Sequence, residues 1–399
     1  MYNNSMLDKK DQKSLQITTT ILFLIIVITY LITSYAKGYR LNLQKGISFK
    51  ATGILSATSK PKASSVYIND HLVTATDDTI NLSPGEYEIK ILKDGYTPWI
   101  KTITLKKETV FQTDTHLFRI TPDIRSVTLS GAINPIISND NTKIIYAVAS
   151  ASASKNNGLY QYDLSNTILP LNKSQPKQIA TNFHNIDWSK FEFQFSPDNK
   201  ELIATSPSNH ISYLINLEEP INYQNLKDIT LNKNILLETW KDQELTQIQE
   251  NIKKLPEIFK NFISTDSAKN ILFTNEFDKV LYLSKADYQL DNNLISPPPS
   301  QSTQKQQRQI KKDFFYVYNI KDDTNFEIGH KNEILNPLWL PASNNILFIN
   351  EDKIKIVDYD GTNKNTLFGN KFQTNFITSK TDGNEIIIFD NNLYALNIR

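Results

Sequence analysis

Between Leu15 and Ala36 the sequence reads LQITTTILFLIIVITYLITSYA, 22 residues without a charge. At about 1.5 Å rise per residue a helix of that length covers the roughly 30 Å hydrocarbon core of a bilayer. Tyr30, Tyr35 and Tyr39 fall where aromatic side chains anchor a span at the membrane interface. Residues 15–36 are therefore read as one transmembrane helix behind a short tail, 1–14. The alternative is a cleavable signal peptide, with small residues around Ser34-Tyr35-Ala36 after a Lys-bearing start. Against it, the apolar run is longer than the roughly 7–15 residues of a signal core. Lys9, Lys10 and Lys13 precede the span and Lys37, Arg40, Lys45 and Lys50 follow it, so the positive-inside count does not orient it.

The rest of the chain is too long for one ordinary domain; 399 residues imply two or three folded units. Lys and Arg (43) balance Asp and Glu (42), which argues against a nucleic-acid partner and against an acidic tail. Tyr (18) and Phe (20) are plentiful against 11 Gly, the balance of a folded, strand-rich protein. With no Cys, thiol catalysis, disulfides and thiolate metal sites are excluded. That absence leaves the compartment open.

Residues 46–118 read as a small antiparallel β-sandwich. Ser83-Pro84-Gly85-Glu86 is a turn in which Pro fixes φ and Gly can supply positive φ. It feeds Tyr87, Ile89 and Ile91, alternate residues on one face of a strand. Lys93-Asp94-Gly95-Tyr96 turns the chain again. Trp99, Lys101 and Ile103 then share a face of the returning strand, opposite Ile100, Thr102 and Thr104. Further strands are expected near Val66–Ile68, Thr79–Leu82 and Val110–Leu117, with a turn at Asn69-Asp70.

The order VYINDHLV…INLSPGEYEIKILKDGYTPWIKTITL resembles a PEGA domain, in which a Pro-Gly turn, an aliphatic strand and a Gly-Tyr pair follow one another. The sequence departs from that pattern at Thr74-Ala75-Thr76-Asp77-Asp78, where a Gly and a Thr-Pro are expected. The residues that carry the resemblance are Pro84, Gly85, Glu86, Gly95, Tyr96 and Trp99. It implies a compact β-module of cell-surface proteins with no catalytic residues of its own. For Tyr96 and Trp99 the expectation is packing at the sandwich seam, since a small sheet needs large aromatics to bury enough area. The competing role is an exposed platform for carbohydrate.

From 119 to 399 one grammar recurs: a hydrophobic or aromatic residue, a Ser/Thr/Asn/Asp turn, then a strand of four or five apolar residues. It is seen in INPIISNDNTKIIYAVAS, FEFQFSPDNKELIATSP, FISTDSAKNILFTNE, ILNPLWLPASNNILFINE and FITSKTDGNEIIIFDN. Its turn residues Asp140, Asp198, Asp266 and Asp382 are 58, 68 and 116 apart, an irregular period that radial repeats tolerate through insertions. FSPDNKELIAT and the Asp358-Tyr-Asp360-Gly361 turn resemble blades of a TolB-type or WD40-like β-propeller. Five or six blades are expected, with the last strand, near Leu393–Ile398, pairing with an early one near Ile124–Leu129 to close the ring. The fold class is thus all-β behind an N-terminal helix.

Two segments interrupt the grammar. Over 236–262, Leu245, Ile248, Ile252, Leu255, Phe259 and Phe262 are spaced 3, 4, 3, 4 and 3, a helical stripe. Pro256 lies within it, so two short helices or a kink are expected, packed on the propeller. A partner-binding or self-associating helix is the alternative. Residues 288–312 include SPPPSQSTQKQQRQIKK, too poor in apolar side chains to fold, and are read as a disordered loop.

Chemistry-bearing patterns are sparse. His71, His116, His184, His210 and His330 are scattered singly, and no nucleophile elbow, phosphate loop or dinucleotide fingerprint occurs. The acid pairs Asp77-Asp78, Glu218-Glu219 and Asp322-Asp323 are read as solvated turn carboxylates, and the Asp358–Gly361 turn lacks the distal Glu of a calcium loop. No cofactor or metal is expected and no catalytic residue is assigned. The expected function is non-catalytic: binding or scaffolding at the cell membrane, through a single-pass anchor, with a cell-wall or surface-layer polymer or an envelope protein as partner. The resemblances, rather than the charges, imply that the large C-terminal region is extracytoplasmic. A tethered propeller hydrolase acting on a glycan or peptide is the alternative. A sensor whose 14-residue tail works through a partner is a third reading.

Overall fold

The computed structural model describes residues 9–36, 40–42, 48–165, 175–183, 185–264, 267–291, 301–369, 372 and 376–399. Helix α1 runs from Lys9 to Ala36. Its Thr18, Thr19, Thr20 and Thr33 hydroxyls donate to carbonyls four residues back, at 2.7–2.9 Å. Each of these four hydroxyls is thereby satisfied inside the helix, as a span through hydrocarbon would require. The stretch Ser14–Tyr35 is long and apolar enough to cross a membrane.

The chain forms two compact units, one of residues 1–91, 100–114 and 298–303, the other of 92–99, 115–297 and 304–399. In the small unit a mixed sheet orders Val110–Gln112, Gly53–Ala57 and Asp78–Leu82, the first pair parallel. A second sheet orders Gln301–Ser302, Trp99–Leu105, Gly85–Leu92, Ser65–Ile68 and His71–Ala75. Side chains alternate faces along a strand, so Leu55, Val66, Ile89, Ile91 and Ile103 are all buried. Asn69 and Asp70 make a hairpin turn with φ of +49° and +66°, a left-handed geometry short polar residues accept. Gly85 differs from expectation: it does not take positive φ but opens its strand, and the preceding turn is braced by the Tyr87 hydroxyl donating to the Ser83 carbonyl at 2.8 Å. In the segment Thr74–Asp78, the buried Thr76 hydroxyl meets Ser59 Oγ at 2.6 Å.

The larger unit is a β-propeller of five four-stranded antiparallel sheets. Blade 1 holds Ile133–Ile137, Lys143–Val148, Gly158–Asp163 and Lys177–Thr181. Blade 2 holds Glu192–Phe195, Glu201–Thr205, Ser212–Asn216 and Lys227–Asp228. Blade 3 holds Ala268–Phe273, Lys279–Ser284, Phe314–Asn319 and Thr324–His330. Blade 4 holds Leu335–Trp339, Asn345–Asn350, Lys353–Asp358 and Asn365–Gly369. Blade 5 joins Ile377–Ser379, Glu385–Asp390 and Asn392–Asn397 to Asp123–Ser126 from the start of the unit. That closing strand pairs Ile124 with Leu396 and Arg125 with Ala395, the closure expected from sequence.

The first strands of blades 1 and 2, and those of blades 3 and 4, approach one another, which marks the first strands as the inner edge of the ring. Each blade buries both faces. Ile145 and Ala147 of blade 1 pack on Phe193, Leu202 and Ala204 of blade 2. Leu281 and Val317 of blade 3 pack on Ile346 and Phe348 of blade 4. Leu347 and Ile356 of blade 4 meet Ile386 and Leu396 of blade 5, whose other face carries Ile387 and Phe389 onto Ile144 and Tyr146 of blade 1. Between blades 2 and 3 the faces are instead covered by helices. In α2 (Lys233–Ile252), Trp240 with Leu236 and Leu237 covers Ile203 and Leu214 of blade 2. In α3 (Glu257–Phe262), Phe259 and Phe262 cover Val280, Tyr282, Tyr316 and Tyr318 of blade 3. A helix pair thus stands where a sixth blade would.

Pro256 is the N-cap of α3 and separates the two helices. The spaced stripe therefore divides: Leu255, Phe259 and Phe262 are buried, whereas Leu245 and Ile248 stay partly exposed and α2 buries Trp240 in their place. Blade 3 is also out of the expected register. Ala268–Phe273 is its first strand and Lys279–Ser284 its second, so its turn is Thr274–Asp278; Asp266 lies outside the described residues. Burial explains the shift, because Lys279–Ser284 is buried at every position, as the second strands of the other blades nearly are.

Within 288–312, read from sequence as a disordered loop, the described residues hold short strands. Tyr288–Gln289 pairs with Gln309–Ile310, and Gln301–Ser302 pairs with Ile103 and Thr104. Backbone groups and two buried side chains, Leu290 and Ile310, supply the order that a composition count misses.

Candidate functional site: a cleft between blades 1 and 2 and helix α2

An antiparallel meander places all turns between first and second strands on one rim of the ring. In blade 1 that turn is tied by Asp140, whose Oδ1 accepts from Ser138 Oγ at 2.6 Å and Thr142 Oγ1 at 2.8 Å. In blade 2 Asp198 accepts from Ser196 Oγ at 2.6 Å and from the Lys200 amide at 3.2 Å. Asn139 links the two turns, its side chain donating to the Ser196 carbonyl and its amide to Asn199 Oδ1. The hydrogen bonds at Asp198, Ser196 first, hold its carboxyl below the usual range. These aspartates build turns.

Beside them lies a cleft of about 460 Å³. Blade 1 contributes Ile136 and Ile137, blade 2 contributes Phe193, Gln194, Phe195 and Pro197, and α2 contributes Leu237, Trp240, Lys241 and Glu244. Its floor is apolar and its mouth polar, since Gln194, Lys241 and Glu244 are exposed. That combination is typical of ligand pockets. None of these residues was singled out from sequence as functional. The signal available was FEFQF, whose alternation reads simply as a strand, and a lone Trp in a polar helix.

The motif residues sit elsewhere and divide in two. Pro84, Gly85 and Glu86 are exposed at the head of a strand. Gly95, with φ of +80°, and half-buried Tyr96 belong to a second turn, bridged to Arg119 and joined by the Ile120 amide donating to the Gly95 carbonyl. Trp99 is buried, and its indole N–H donates to Asp358 Oδ2 at 3.0 Å. Asp358 also accepts from Asn345 and Asn363, and Asp360 accepts from Thr362 at 2.6 Å, so the Asp358–Gly361 carboxylates serve their own turn. Among the described residues no three His, Asp or Glu gather as a metal site.

Two ionic clusters escaped the sequence reading. Asp323, expected in solvent, is buried; it pairs with Arg308 at 3.1 Å and accepts from the Tyr318 hydroxyl at 2.8 Å. Burial, then the bond to Asp323, raises Tyr318 well above the ordinary phenol range, and burial pushes Tyr316 to about 12. On blade 5, burial works against ionisation of Glu385, yet bonds from Arg125 and Lys380 outweigh it and hold the carboxyl below its usual range. Both clusters join strands and neither lines the cleft.

Residues 52–120 match the PEGA domain. The PEGA domain therefore takes in the small unit's two sheets, apart from the strand Gln301–Ser302, together with the Gly95–Trp99 turn. No curated protein matches the chain. Among solved structures, the Dos1 propeller aligns at 9% identity and a TM-score of 0.28, covering 69% of this chain and 95% of that one. A putative TolB from Agrobacterium tumefaciens aligns at 11% and 0.22, covering 85% and 99%. An auxiliary nutrient binding protein from Bacteroides ovatus aligns at 8% and 0.28, covering 88% and 98%. At such scores the propeller fold rests on blade topology and the closing strand, not on these likenesses.

Proposed function

We propose that the chain is a membrane-tethered, non-catalytic binding protein of the cell envelope, with α1 as a single-pass anchor and the cleft as its recognition site. The supporting observation is the cleft itself, an apolar floor under a polar mouth on the turn rim of a rigid ring. Among the described residues its titratable lining is Lys241 and Glu244, which stand at the mouth rather than converging on a reacting atom. A hydrolase would need a carboxylate pair or a nucleophile with its base in that place. The PEGA domain acts as spacer or adhesion unit, joined to α1 through residues 37–47. The partner is an envelope polymer or an envelope protein, met on the outer side of the membrane.

The test combines location and binding. Intact cells are treated with protease and fractionated, and full-length protein in detergent is titrated with envelope extracts while Trp fluorescence is followed. Cleavage in intact cells, membrane retention and a saturable response lost in Leu237→Arg are expected. Protection until lysis would remove the envelope assignment, and turnover of the ligand would make the protein an enzyme.

A further inference from the structure

The cleft has a feature that side chains alone do not explain. Phe193, Gln194 and Phe195 are consecutive in one strand, yet all three line it. Successive side chains point to opposite faces, so three in a row can line one cavity only if it runs along the strand's edge. That edge is free. Glu192–Phe195 pairs on one side with Glu201–Thr205, and it is the innermost strand of its blade. The Ser196 amide donates to the Glu201 carbonyl, which makes that pair a hydrogen-bonded one. By alternation Gln194 bonds within the blade, while Phe193 and Phe195 turn their N–H and C=O groups toward the cleft.

Inner edges elsewhere in the ring are spoiled. In blades 1, 3 and 4 the inner strand shifts register beside Asn134, Asn270 and Asn336, whose φ values are +47°, +51° and +48°. Bulges of this kind disrupt an edge as a pairing template. The inner strand of blade 5 is regular but fully buried. Blade 2 alone among the described blades keeps an unshifted four-residue inner strand beside an open cleft.

We propose that the cleft takes an extended peptide, which adds to blade 2 as a fifth strand on the edge of Phe193 and Phe195. The proposal rests on the reading of the cleft as a binding site. Main-chain bonds to those two residues supply affinity, and the flanks supply selectivity. One row of peptide side chains meets Ile136 and Ile137, the other meets Leu237 and Trp240, so both rows are apolar at the floor. Beyond them, Lys241 and Glu244 at the mouth favour charged residues of opposite sign.

The chain has no Cys, so Thr246→Cys on the exposed side of α2 gives a unique site for an environment-sensitive dye. The labelled full-length protein in detergent is screened against bead-displayed octapeptides with apolar centres and charged ends. A binder is then remade with each amide N-methylated in turn. Strand addition predicts at least tenfold weaker binding on methylating alternate amides and less than twofold change at those between. A uniform or sequence-independent loss would overturn it. Saturable binding of an envelope extract with no peptide bound would overturn the peptide and leave the cleft reading intact. No response to either would bring down both.

Discussion

Asp323 and Arg308 show what one pair of side chains decides in this protein. Asp323 is buried and Arg308 nearly so, and the Arg308 guanidinium also bonds the Asp323 backbone carbonyl, so the pair pins the chain entering blade 3's third strand to its fourth. Asp323→Ala should cost about 3–5 kcal/mol, because it leaves an uncompensated buried charge. Asp323→Leu combined with Arg308→Met should recover most of that in urea unfolding. Equal midpoints for the single and double variants would contradict it. Glu385 gives the pH dependence. Its folded pKa lies below the unfolded one, so its contribution is complete above the unfolded value of about 4.3 and is lost as pH falls through the folded pKa. Glu385→Gln should therefore flatten the acid limb of a melting-temperature profile and leave its shape above pH 5 unchanged. At this scale the sequence was least legible. Asp322-Asp323 looks like any polar turn, and Arg308 sits in a Gln-rich run. Only the fold brings them together.

Elements were legible wherever one face is apolar and the other is not. The sandwich strands around Ile89 and Ile103, and four of the five blades, follow from alternation and turn chemistry alone. Blade 3 slipped by one strand because the Ser-Thr-Asp-Ser run at 264–267, ahead of its first strand, has the composition of the turns that follow the first strand in other blades. The insert was legible as helix but not in its seat, since the spaced stripe begins at Leu245 while α2 binds through Leu236, Leu237 and Trp240. Trp240 is the keystone, and it also lines the cleft. Trp240→Ala should cost about 3–5 kcal/mol by the usual penalty for an aromatic core residue. Amide exchange should rise in Glu201–Thr205 and Ser212–Asn216, which α2 covers, ahead of blades 4 and 5. Uniform exchange throughout the ring would show that the helix pair is not a separate wedge.

At the scale of the ring, closure depends on four residues that are far from their partners in sequence. Asp123–Ser126 is exposed along its whole length, so burial contributes little and the ladder to Asn392–Asn397 must carry the joint. Arg125 adds a two-point contact with Glu385 at 2.7 and 3.2 Å, but an exposed pair is worth about 1 kcal/mol at most. The Val127 amide donates to the Leu393 carbonyl, which sets the alternation: Arg125 donates into the ladder, whereas Ile124 points its N–H outward. Proline removes an N–H and is tolerated in strands only where that N–H faces away. Arg125→Pro should therefore open the ring, costing about 1–3 kcal/mol beyond Arg125→Ala through the lost ladder bond. Ile124→Pro, one residue away, should be nearly silent. The comparison is made by urea unfolding of the full chain in detergent, with limited proteolysis near residue 123 as a second readout. Equal loss in both proline variants would mean that the strand closes the ring by its side chains, and that the ladder is incidental.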